Sequence, residues 1–190
     1  MISGAGGGLG HIAVQLAKGM GLRVIGIDHG SKEAFVKECE AEVFLDIINH
    51  DDKSIVEEVK KTAGGIGASA VLVCTASNKA YAQTVDFPRF GGTLVCVGVP
   101  EGKLEAIASA YPASVIFKQL TISGTAVGNK KDASDVLDFA ARGVVKIYTH
   151  VEPLERLDEV RTKIFYHIST KLTSIVCLGI STYVSWKING

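Results

Sequence analysis

The sequence predicts an α/β fold built on a doubly wound parallel sheet, on three observations. Short β-branched runs alternate with amphipathic stretches, the rhythm of strand–helix–strand units. A dense glycine turn near the start, Ser3-Gly4-Ala5-Gly6-Gly7-Gly8-Leu9-Gly10, runs directly into a helical pattern. The 21 glycines stand against 4 prolines at 47% hydrophobic content, which suits many tight strand-to-helix turns better than a disordered or collagen-like chain.

In chain order, only Met1, Ile2 and Ser3 precede the turn, where a complete buried strand is normal, so the first strand reads as truncated. A helix follows over 11–20, with Ile12, Leu16 and Met20 on one face and Gly21 able to take the left-handed conformation that ends it. Strands are expected over 22–28, 43–46, 70–75, 92–98 and 120–123, from their β-branched and apolar content. Helices are expected over 32–40, 54–62, 79–87 and 133–142, and the loop Gly64-Gly65-Ile66-Gly67 separates the second of these from its strand. In the last helix Val136, Phe139 and Ala140 share a face, Asp132 reads as the N-cap and Gly143 as the terminator. From 165 to 190 charges almost vanish, and Thr, Ser, Ile and Val mix without clear period. The expected organisation is a domain over 1–164 and a divergent tail over 165–190, whose Ser and Thr content argues against a membrane-spanning helix.

Charge and residue chemistry narrow the function. Lys+Arg and Asp+Glu each number 20, and no long run of either sign occurs, which removes the electrostatic case for nucleic acid or an anionic membrane as partner. No segment at the start combines basic residues, an apolar core and a small-residue cleavage site, so a cytoplasmic location is expected. Cys39, Cys74, Cys96 and Cys177 never approach the short spacing of structural zinc ligands and read as buried, reduced thiols. His11, His29, His50, His150 and His167 form no pair at helical or turn spacing, and no Gly-x-Ser-x-Gly elbow is present.

The glycine turn carries the strongest chemical signal. Glycines let the chain turn tightly and bring backbone N–H groups close to a pyrophosphate, and the helix N-terminus behind them favours negative charge. Strict Gly-x-Gly-x-x-Gly spacing is absent because Leu9 holds the third position, although Gly4, Gly7 and Gly10 recur by threes. The next strand ends in Asp28, about twenty residues on, where a carboxylate accepts hydrogen bonds from an adenosine ribose. The same charge repels a 2′-phosphate, favouring NAD over NADP. A bland alternative has Asp28 capping the helix near Ser31. Glycines and acid together favour a Rossmann-like dinucleotide domain.

With these residues in place, the chain resembles the cofactor domain of zinc-dependent alcohol dehydrogenases of the medium-chain dehydrogenase/reductase family, in their yeast-type class. The resemblance runs from about residue 2 to residue 164 and rests on residues 2–4 with Gly7-Gly8-Leu9-Gly10, on Arg23-Val24-Ile25-Gly26-Ile27-Asp28, on Glu42-Val43-Phe44-Leu45-Asp46, and on Val127-Gly128-Asn129 leading to Leu137-Asp138-Phe139-Ala140-Ala141-Arg142-Gly143. It implies NAD as cofactor and interconversion of alcohols with aldehydes or ketones by hydride transfer. It implies that Gly7, Gly8 and Leu9, between Gly4 and Gly10, form the pyrophosphate turn, and that Asp28 and Lys32 bind the ribose. Thr75, Val97, Val99, Thr125 and Val127 would then line the adenosine and nicotinamide edge, beyond the carboxyl ends of the strands. On their own, Val97 and Val99 read equally as packing residues and Lys32 as a solvated charge.

Departures from the family pattern shape the expectation as much as the matches. The family's catalytic zinc, the Lewis acid of the reaction, is held by an upstream domain of which nothing is present, so zinc belongs to the full-length family only. Lys130 stands where the pattern has Arg, and residues 165–190 show no Gly-Arg strand. The chain is therefore expected to be a fragment, the product of a partial gene or misread intron, that lacks zinc-dependent activity. Self-association through an edge strand at 121–123 is also expected. Two rival readings remain. One is a short-chain dehydrogenase, for which Tyr183 and Lys187 give the Tyr-x-x-x-Lys spacing inside the anomalous tail. The other is a non-enzymatic NAD-binding or subunit-interaction module.

Overall fold

A computed structural model describes residues 1–159 other than 101, 150 and 152. The tail at 165–190, Tyr183, Lys187, Cys177 and His167 lie outside the described residues, as does His150. The strands are β1 (Ile2–Ser3), β2 (Ile25–Asp28), β3 (Val43–Asp46), β4 (Ala68–Val73), β5 (Pro88–Cys96) and β6 (Thr121–Gly124). The helices are α1 (Gly10–Gly19), α2 (Glu33–Glu38), α3 (Asp52–Thr62), α4 (Asn78–Ala82), α5 (Pro112–Lys118) and α6 (Lys130–Ala141).

All six strands join one parallel sheet in the order β3-β2-β1-β4-β5-β6. The chain winds outward from β1 to β3, then returns through α3 to lay β4 on the other side of β1. The winding therefore reverses between β1 and β4, where open parallel sheets form their ligand crevice. Although β1 has only two residues, both are held on both sides: Ile2 is registered with Gly26 and with Leu72.

Alternate residues of each inner strand face opposite layers, as a pleated strand requires. Leu72 and Val95 join Leu9, Ile12, Leu16 and Val36 in one core, while Val71, Val73 and Leu94 join Ile55, Val59 and Val85 in the other. Burial on both faces explains why these strands read as continuous apolar runs. Among the described residues no helix is long and apolar enough to cross a membrane.

Several boundaries differ from the sequence expectation for local reasons. The strand expected at 22–28 begins at Ile25, because the Leu22 amide closes the end of α1 by donating to the Ala17 carbonyl at 3.0 Å. Where a helix is expected over 79–87, α4 stops at Ala82 and a 3-10 turn spans Thr84–Asp86; the Thr84 hydroxyl donates to the Tyr81 carbonyl at 2.8 Å, an alternative to the helical ladder. A 3-10 turn over Gly30–Lys32 precedes α2. Asp132 does not cap the last helix. Asn129 does, accepting the amides of Lys131 at 2.8 Å and Asp132 at 3.1 Å, while the Asp132 carboxylate reaches back to the Asn129 amide at 2.8 Å. Gly21 and Gly143 adopt positive φ, 80° and 73°, as expected of helix terminators.

Candidate functional site

The turn between β1 and α1 is built by its own carbonyls. Gly4 and Ala5 donate to the Ile27 carbonyl at 2.9 and 3.1 Å, which ties the turn to β2, and the Gly7 amide folds back on the Gly4 carbonyl at 3.0 Å. Gly4 has φ +75°, a conformation side chains resist, and a Cβ there would also press on the Thr75 amide at 3.1 Å. A Cβ on Gly10 would overlap the Gly4 carbonyl oxygen, so the first turn of α1 can approach the loop this closely only through glycine. Leu9, 1% exposed, is buried in the core beside Ile12 and Val36. No side chain caps the N-terminus of α1, and among the described residues the amides of Gly8 and Gly10 make no hydrogen bond. A glycine-rich loop whose Ala5 and Leu9 side chains are buried, amides without partners and a helix N-terminus together suit an anionic diphosphate.

Asp28 closes β2 beside this turn. Its Oδ2 accepts the Gly6 amide at 2.8 Å and its Oδ1 accepts the His29 amide at 2.8 Å. The side chain, 11% exposed, thus faces the glycine turn. It does not cap the following turn: His29 Nδ1 does, accepting the Ser31 amide at 3.2 Å. Lys32 brings its ammonium to 3.2 Å from Asp28 Oδ1, and its stem crosses so close to Gly6 that a Cβ there would lie 2.7 Å from Lys32 Cδ. Asp28, Lys32 and the turn are therefore one cluster.

The remaining expected positions are spread along the carboxyl ends of β4, β5 and β6. Thr75 follows β4 against Gly4, and Gly98, after β5, packs on the Thr75 carbonyl. The buried Tyr81 hydroxyl donates to the Gly98 carbonyl at 2.6 Å, and burial pushes its phenol above the usual range. Thr125 donates its amide to the Cys96 carbonyl at 3.0 Å, while Val99 and Val127 are 78% and 63% exposed beyond the strands. Val97 differs, being 5% exposed and packed in the core with Ile2 and Leu9.

Two contributors escaped sequence reasoning. Gly6, rather than any glycine singled out, provides the amide that holds Asp28. His11 lies beneath the turn with Nδ1 2.9 Å from the Gly7 carbonyl and its ring against Phe35 and Tyr148, centroids 5.5 and 6.0 Å away. The separation of four between Gly7 and His11, one helical turn, is the signal that could have found it. A cavity of about 280 Å³ lies by the amino-terminal ends of β1, β2 and β4, lined by Met1, Leu16, Met20, Leu22, Ala70 and Arg89, away from this cluster. Among the described residues no three His, Cys, Asp or Glu side chains are grouped to hold a metal ion.

Comparison with known proteins agrees in direction. The family described as "Zinc-binding dehydrogenase" matches residues 8–142. Alcohol dehydrogenase 2 of Emericella nidulans is 56% identical over 166 residues, covering 84% of this chain and 45% of that protein. Alcohol dehydrogenase of Schizosaccharomyces pombe is 44% identical over 160 residues, covering 84% of this chain and 44% of that protein. The chain thus spans somewhat under half the length of these relatives. Among solved structures, the alcohol dehydrogenase of the archaeon Aeropyrum pernix superposes with TM-score 0.74 at 24% identity, over 89% of this chain and 47% of that one. That of Thermotoga maritima gives TM-score 0.78 at 21% identity, over 88% and 47%. Identities this low bear on the fold alone.

Proposed function

This chain belongs to the zinc-binding dehydrogenase family, and from that premise we propose that it binds NAD as the cofactor domain of an alcohol dehydrogenase. The observation that carries the reading is the 2.8 Å bond from the Gly6 amide to Asp28 Oδ2, which fastens the ribose-binding carboxylate to the diphosphate turn. In this reading the Gly8 and Gly10 amides and the N-terminus of α1 receive the diphosphate. Asp28 accepts hydroxyls of the adenosine ribose with Lys32 alongside, and Thr75, Val99, Thr125 and Val127 flank the nicotinamide half. NAD supplies the hydride acceptor.

The described residues do not offer a zinc site, so no step of alcohol oxidation is assigned to them. Calorimetric titration tests the reading: NAD binds the chain, Asp28→Ala weakens it by about tenfold or more, and alcohol with added zinc yields no NADH. Absence of NAD binding overturns the proposal. Turnover by the chain alone overturns the assignment of zinc chemistry to residues other than these.

An edge position for β6, with Ile122 38% exposed on it, supports a proposal of self-association. Light scattering over a range of concentrations is expected to show a mass rising to twice the monomer, and Ile122→Pro to abolish the rise by removing an edge donor. A mass constant at the monomer value contradicts it.

A further inference from the structure

Asp28 is not the sole carboxylate at the ribose end of the sheet. It and Asp46 are direct cross-strand partners at the ends of β2 and β3. Asp46 is held in place: Oδ1 accepts the Ile48 amide at 2.9 Å and Oδ2 accepts Asn49 Nδ2 at 3.1 Å. It also leans under the turn that follows Asp28, since a Cβ built on Gly30 would overlap Asp46 Oδ2. That same turn returns Lys32 to Asp28, and among the described residues no ion pair reaches Asp46. The lysine of this turn is thus engaged with Asp28, and the charge of Asp46 is not neutralised by an ion pair among the described residues.

We infer that Asp46 is a second specificity residue, whose negative charge keeps a 2′-phosphate away from the ribose subsite independently of Asp28. The inference rests on the dinucleotide reading above. A ribose gripped by Asp28 carries its 2′ substituent beside the 28–32 turn, against which Asp46 is packed. The Asp46 carboxylate packs directly on Gly30 within that turn, and physiological salt screens charge only over roughly 8 Å. A 2′-hydroxyl is indifferent to this charge, whereas a phosphate dianion is repelled by it. Replacing Asp28 alone would therefore leave the exclusion of NADP partly intact, because Asp46 and Gly30 remain as they are.

The test titrates NAD and NADP by calorimetry against the parent chain, Asp46→Asn, Asp28→Ala and the double variant. Asn keeps an oxygen for the Ile48 amide; Asp46→Ser is the second neutral choice should Asn disturb folding, judged by circular dichroism. In the Asp28→Ala background, Asp46→Asn is expected to raise NADP affinity by about tenfold with NAD affinity changed less than about threefold. Equal gains for both cofactors, or a NADP gain below about twofold, overturn the inference while leaving the dinucleotide reading standing. Failure of the parent chain to bind NAD overturns both.

Discussion

Single residues around the glycine turn differ sharply in what they tolerate. Gly21 has φ +80° with nothing within 4 Å, so Gly21→Ala meets backbone strain alone, about 1 kcal/mol. Gly10→Ala meets the Gly4 carbonyl, a backbone group that cannot swing aside, and is expected to lower stability by about 2 kcal/mol or more and to abolish NAD binding. Urea unfolding compares the two; equal losses would contradict the close approach. Cys39 makes a different prediction. Burial first, and Glu38 second, push its thiol up to about 11, so at pH 8 the thiolate is about a thousandth of the population. Iodoacetamide mapping is expected to label Cys39 only after denaturation, and rapid labelling of the folded chain would refute its burial. Asp28 was legible in the sequence because an acid ending a strand after a glycine turn has a fixed place in this topology. Gly6 was not, because which amide of a five-glycine stretch meets the carboxylate depends on how the loop coils, and the residue spacing holds no record of that.

Elements were legible where one periodicity ran unbroken. The four residues of β3 coincide with expectation because apolar side chains and a closing Asp bracket them. Helix α5 escaped notice: seven residues opened by Pro112 and ended by left-handed Gln119 are too short to display a helical period. At α6, reading Asp132, the acid before Ala133, as the cap placed it three residues late. Both partners of a capping box were present, but Asn129 is the one whose backbone is extended, at φ −87° and ψ −177°. Asn129→Ala is accordingly expected to cost about 1 kcal/mol, read as a lower urea midpoint, whereas Asp132→Asn, which keeps an acceptor, costs less. The reverse ranking would restore Asp132 as the cap.

At the scale of the whole molecule, the sheet order was legible only as a class, since strand pairing between distant segments leaves no local mark. The two-residue strand β1 has a last consequence. It is laddered to β2 and to β4, the latter nearly seventy residues along, and the glycine turn that we propose receives the diphosphate hangs directly from it. On the proposed reading, cofactor capture is thereby linked to the unfolding equilibrium of the central sheet. Saturating NAD should slow amide deuterium exchange not only at the turn but throughout β4 and β5, which hold neither the glycine loop nor Asp28.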